Sequence, residues 1–312
     1  MRFLPCVVSL FILSAAVFGT EEPDSHGSRL SRHLERATSA TEEEKSVLPF
    51  FESARTMVEE NHIVAFYGHP KSRTMGILGE FRTMDAMAEE LLRYADAYNE
   101  VNGDKGVVPA VHIIFATAHP GGETTLIGKK TLLEYIEYAE EKGMLVFIDH
   151  QIGKYPLAEA MKSMLPYLKH KNVHLAIDPE WATPAPGAEI GSVCAGEINQ
   201  AQEMMQDYME THDIPGEKML VVHQFNWKMI ADRAKVQADY PRILLIHNAD
   251  GFGTPREKFD SYRFNSGARN MPLKGFKLFL PKTWRQGGYD IPLMSPEKVL
   301  ELDPVPILVM YQ

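Results

Sequence analysis

The sequence predicts an α/β fold, a closed (β/α)8 TIM barrel, from three observations. Eight short and nearly continuously apolar segments recur along the chain, at 63–67, 108–116, 145–149, 173–178, 219–225, 243–248, 276–280 and 306–311. Continuous apolarity marks strands buried on both faces, as parallel strands are. Between most of them lie helical patterns, at 84–99, 130–142, 157–169, 196–211, 227–238 and, more weakly, 295–302. Such alternation implies parallel strands joined by crossover helices, and eight strands is the count that closes a barrel. Polar residues then gather at one end of the strands, the C-terminal end, where barrels carry their chemistry.

Taken in order, the chain opens with Arg2 and an apolar run from Phe3 to Phe18, ending in small residues before Thr20-Glu21-Glu22. This reads as a secretory signal peptide over 1–19, too short to span a membrane comfortably. The mature protein is therefore expected outside the cytoplasm, secreted or periplasmic, with no membrane span. Residues 20–40 are polar and read as a flexible linker, leaving 41–312 as one barrel domain. Cys6 falls within the signal, so Cys194 would remain as a lone, small buried residue with no disulfide to form. Thr41-Glu42-Glu43-Glu44 followed by apolar residues at helical spacing predicts an N-capped helix over 41–60. The sequence ends at the tip of the eighth strand segment, so the barrel is expected to lack a C-terminal eighth helix. The helix at 41–60 would cap it, covering the gap between last and first strands. No helical pattern separates the sixth and seventh strands; 251–274 reads as a long loop with at most a short helix near 256–263.

The 312 residues, 45% hydrophobic and 24% charged, can bury a large core. A net charge of −10 with no basic stripe excludes a nucleic-acid partner.

The chain is organised around Val173–Asp178 and the Pro-Glu-Trp that follows. Along a strand side chains alternate faces, so His174, Ala176, Asp178 and Glu180 share one face. That puts Asp178 and Glu180 about 7 Å apart along the strand. Pro179 breaks ladder pairing and so marks the strand's C-terminal end. Other strand ends supply Tyr67 and His69, Asp149 and His150, His223 and Gln224, Asp250, and Tyr311. Trp181, Trp227 and Trp284 follow strands on the same side, as plates on which a sugar ring could stack.

Two carboxyl groups flanking a bond, one protonated and one ionised, are what glycoside hydrolysis requires. The candidates are Glu180 as acid, with Asp178 or Asp149 as ionised partner. Substrate contacts are expected from Tyr67, His69, His150, Trp181, His223, Gln224, Trp227, Asp250 and Tyr311. No cofactor or metal is expected, because no strand carries a His-x-His pair. The alternatives are a metal-dependent hydrolase using His69, His150, His223 or His247, and a catalytically silent barrel that binds a saccharide or other small molecule.

Several stretches, Phe66-Tyr67-Gly68-His69-Pro70, Leu78-Gly79-Glu80, Asp178-Pro179-Glu180-Trp181, Ile190-Gly191-Ser192-Val193, Leu220-Val221-Val222-His223-Gln224-Phe225 and the terminal Tyr311-Gln312, resemble a family of secreted or lipoprotein-like bacterial barrel proteins. The resemblance covers about 62–312 and implies a glycosidase-like barrel without a proven reaction. The Asp-x-Glu is also similar to that of barrel lysozymes and chitinase-like enzymes.

Overall fold

A computed structural model describes residues 53–281 and 288–312. The signal, the linker, the first part of the expected 41–60 helix, Cys6 and Trp284 lie outside the described residues. Eight parallel strands form the barrel: β1 (Asn61–Gly68), β2 (Gly106–Ala118), β3 (Leu145–Gln151), β4 (Val173–Asp178), β5 (Lys218–Gln224), β6 (Ile243–Ala249), β7 (Leu273–Leu278) and β8 (Leu308–Tyr311). Each pairs with the next, and β1 closes the ring, with Ile63 opposite Val108 on one side and Leu308 on the other. The helices are α1 (Ala54–Glu60), α2 (Met84–Asn99), α3 (Lys129–Glu141), α4 (Leu157–Met164), α5 (Ala195–Thr211), α6 (Pro255–Ser266) and α7 (Pro296–Leu300). No described helix is long and apolar enough to cross a membrane.

Strand alternation divides the core in two. Val173, Leu175 and Ile177 of β4 pack outward with the helices, while Ala176 joins Ala65, Phe147, Val221, Ile246 and Met310 inside the barrel. The strand's parity carries His174 and Asp178 inward with Ala176.

The described part of the N-terminal helix, α1, caps the barrel from below rather than along its seam. Ser53 caps it, accepting from the Thr56 N–H at 3.2 Å. Its Ala54, Met57 and Val58 are buried with the interior residues. Arg55 lies 3.9 Å from Glu217, just before β5 on the far side. The β8–β1 seam is covered instead by α2 and α7, which touch. There the Tyr98 and Tyr311 hydroxyls hydrogen-bond at 2.8 Å, and the Tyr94 and Tyr311 rings meet edge to face.

Two segments depart from the sequence pattern. The helix expected over 227–238 is absent, replaced by short turns around a two-residue bridge between Ile230 and Val193. Asp232 sits at φ 53°, which interrupts any helix. The segment's backbone groups find partners on neighbouring side chains instead. Asn199 of α5 bonds Lys235 O and Gln237 N, Gln202 bonds Gln237 O, and Asn270 bonds the Arg233 and Val236 carbonyls. Conversely, 251–274 holds a full helix, α6, opened by a reciprocal Thr254–Glu257 cap and Pro255. It buries Lys258, Tyr262 and Asn265 rather than an apolar stripe, so hydrophobic periodicity could not announce it.

Candidate active site

A cavity of about 910 Å³ opens at the C-terminal ends of the strands. Tyr67, Gln151, Asp178, Asp250, Lys277 and Gln312 line it from six strand ends, and Glu180, Trp181, Phe225 and Phe252 from the loops.

The turn after β4 is held from several directions. Asp178 Oδ1 accepts from Glu180 N at 3.3 Å and Oδ2 from Trp181 Nε1 at 3.0 Å, so one carboxylate fixes both the next acid and the aromatic plate. The carbonyls of Glu180 and Trp181 accept from Gly191 N and Gly153 N. A Cβ on Gly191 would come within 2.4 Å of Ala182 N, so this close approach requires glycine. Burial, reinforced by the Asp250 charge, pushes Glu180 above the usual carboxylate range. Burial pushes Asp178 up as well.

Beneath the cavity floor lies a second polar layer. Asp149 is fully buried, with His112 Nε2 and His223 Nε2 each 3.4 Å from its Oδ2. His223 Nδ1 lies 2.8 and 2.9 Å from the two Asp250 oxygens. Lys277 Nζ is 3.2 Å from Asp250 Oδ2 and 3.6 Å from the Tyr67 ring centre, and Asn248 also donates to Asp250. Burial works against the charge on Asp250, but His223 and Lys277 outweigh it and hold the carboxyl well below its ordinary range. Burial likewise drives the His112 imidazole down to about 4.

Of the expected catalytic residues, Glu180 and Asp178 line the cavity, and Asp149 lies beneath it. Of the expected contacts, Tyr67, Trp181 and Asp250 line the cavity, and His223 is one layer below. The others point elsewhere. His69 is half-buried and accepts from Lys71 N at 3.1 Å. His150 packs outward on Phe115, and Tyr311 outward on the α2 tyrosines. Trp227 is 68% exposed and does not reach the cavity. Gln224 also faces out, its Oε1 bonded to His247 Nε2 at 2.8 Å and to Arg233.

Sequence reasoning passes over His112 and Lys277, and names Gln312 at the end of the eighth strand without counting it in the site. A charge inside the otherwise apolar segment 276–280 is the signal that marks Lys277. His112 is legible once Ala110 and Ile114 are known to face inward, because it lies between them.

The cavity's far wall depends on a buried ion pair. Lys258 Nζ lies 3.4 Å from Asp290 Oδ2 and donates to the carbonyls of Gly251 and Lys277. Asp290 also accepts from Gly253 N and Phe279 N, tying two cavity loops together. Lys258→Met should therefore cost about 3 kcal/mol in urea unfolding, since it strands a buried carboxylate and two carbonyls. A loss below about 1 kcal/mol would show that water satisfies those groups.

No known protein family matches the chain, and no curated protein does. Among solved structures, a chitinase from Chromobacterium violaceum is similar at 14% identity and a TM-score of 0.38, over 69% of this chain and 68% of that one. A GH138 enzyme targeting pectin rhamnogalacturonan II is similar at 12% identity and 0.43, over 80% of this chain. The match spans about a third, 34%, of that enzyme's length. At such identities the chemistry has to be read from this chain's own side chains.

Proposed function

We propose that this barrel is an exported glycoside hydrolase in which Glu180 protonates the glycosidic oxygen. The observation that supports this most is that one cavity holds a carboxyl group favoured in its protonated form, Glu180, and another paired to a buried ammonium, Asp250 with Lys277. Environments that drive two carboxyl groups apart assign acid and ionised partner. Asp178 or Asp149 is the partner expected from sequence, but burial pushes Asp178 up and Asp149 lies below the cavity. In this reading Asp250 takes that role because it reaches the cavity, while Asp149 supports His223 from below. Asp178 positions Glu180 and Trp181 through its two accepted hydrogen bonds. Trp181, Phe225 and Phe252 supply faces for sugar stacking.

The test is a panel of plant, fungal and bacterial oligosaccharides, followed by product release and calorimetry. Hydrolysis of at least one member is expected. Trp181→Ala should raise KM about fivefold with a smaller change in kcat, the scale of an aromatic contact worth about 1 kcal/mol. Binding without turnover would favour a saccharide-binding barrel instead. If no member is bound or cleaved, the carbohydrate reading is lost.

A further inference from the structure

We propose that His112, Asp149 and His223 form a metal site inside the barrel, suited to a four-coordinate ion such as Zn²⁺. This goes beyond the hydrolase reading, because none of the three residues lines the cavity. The three come from β2, β3 and β5, are fully buried, and bring their ligand atoms within 4.8 Å of one another.

Distances separate the possible origins of this cluster. Both Nε2 atoms lie 3.4 Å from the same carboxylate oxygen, Asp149 Oδ2. A charge-assisted N–H···O bond would close to about 2.8 Å. Accordingly, none of His112 Nδ1 and Nε2, His223 Nε2 and the Asp149 oxygens makes a hydrogen bond of normal geometry, and the two imidazoles reach Asp149 only through these long contacts, a costly arrangement for buried polar atoms. Ligands about 2.05 Å from a shared tetrahedral ion stand about 3.3 Å apart, and around an octahedral one about 2.9 Å. The two observed His–Asp149 separations of 3.4 Å match the tetrahedral edge, and the third pair of ligand atoms lies within 4.8 Å.

Tautomer and supporting contacts agree. His223 Nδ1 donates to the Asp250 carboxylate, so Nε2 is the ring nitrogen that faces Asp149, where a bound ion would replace the second proton of the imidazolium. That is the carboxylate–histidine–metal arrangement by which supporting groups orient a metal-bound imidazole. Two imidazoles with one carboxylate select a first-row ion over calcium or magnesium, which prefer oxygen ligands. Tyr67 packs on both imidazoles and separates them from the cavity, its ring centre 5.1 Å from that of His112 and 6.0 Å from that of His223.

Full-length protein, purified, stripped with a chelator and reloaded with Zn²⁺, should retain one zinc per chain after dialysis and gain thermal stability on loading. Co²⁺ in its place should give the intense visible bands of a tetrahedral site. His112→Gln should weaken zinc at least a hundredfold, and Asp250→Asn, which changes the acceptor behind His223 Nδ1, 10- to 100-fold. His69→Ala, a histidine outside the cluster, should bind like wild type. The Co²⁺ spectrum of wild type keeps the test alive should either cluster variant fail to fold. Wild type that retains no zinc, a His112→Gln chain that binds like wild type, or loss of zinc in His69→Ala would each overturn the site. Because the readout is metal content and spectra, it stands or falls apart from glycoside hydrolysis.

Discussion

Replacing Glu180 with Gln is expected to lower turnover of an unactivated glycoside by about 10² or more, the scale of a lost general acid. Gln keeps the volume and its amide N–H cannot protonate a leaving group. A substrate that leaves as a stable phenolate needs no proton, so its rate should fall far less. The pH profile carries a second readout. Glu180 acts in its protonated form, and burial and the Asp250 charge raise its pKa, so the wild-type rate should fall as pH rises through that raised value. The alkaline limb should then lie above the range of an ordinary glutamate, near 4.3, and should vanish in the Gln variant. Folding stability at neutral pH should hardly move. Intact turnover in Glu180→Gln, together with its loss in Asp149→Asn and Asp250→Asn, would make the β4 turn structural and shift the chemistry to the layer beneath.

The strand–helix alternation was legible because a barrel strand, buried on both faces, has no choice but to be apolar throughout. That same property hid the site. In a strand such as β3, where every residue is buried, composition does not say which polar residue faces in. Asp149 and His150 look alike in sequence, yet period-two alternation sends one inside and the other against Phe115. His223 and Gln224 divide the same way, and Tyr311 and Gln312 after them. Only at β4 did Pro179 fix the strand's end, which placed Asp178 and Glu180 at the C-terminal mouth in advance, although Glu180 belongs to the turn Pro179–Trp181 and not to the strand face. The failures at 227–238 and α6 share one cause: both segments are held by side-chain amides, ammonium groups and caps rather than by an apolar stripe.

Acidification is expected to destabilise the fold through two histidines that lie away from the cavity. His174 Nδ1 accepts from Met219 N at 3.1 Å, and His247 Nδ1 faces the Lys274 ammonium at 3.3 Å. Each ring nitrogen that would take up a proton therefore already points at a donor. Burial first, then Lys218 for His174 and Lys274 with Arg233 for His247, holds both pKa values well below 6.5. Below pH 6.5 the unfolded chain binds these protons and the native one does not, so stability falls as pH falls, at about 1.4 kcal/mol per unit for each group. On going from pH 7 to acid, both groups therefore remove stability together. Asp178 and Glu180, whose pKa values are raised, work in the opposite direction over the same range, so the total slope mixes the two. The histidine contribution is isolated by comparison with a His174→Asn/His247→Asn double variant, whose amide oxygens can still accept from Met219 N and Lys274 but do not titrate. That variant should be less stable than wild type at pH 7, and the gap measured by urea unfolding should shrink steadily on going to pH 4.5. A gap that is the same at both pH values would mean that the two rings take up protons in the native state, with Met219 and Lys274 turned away from them.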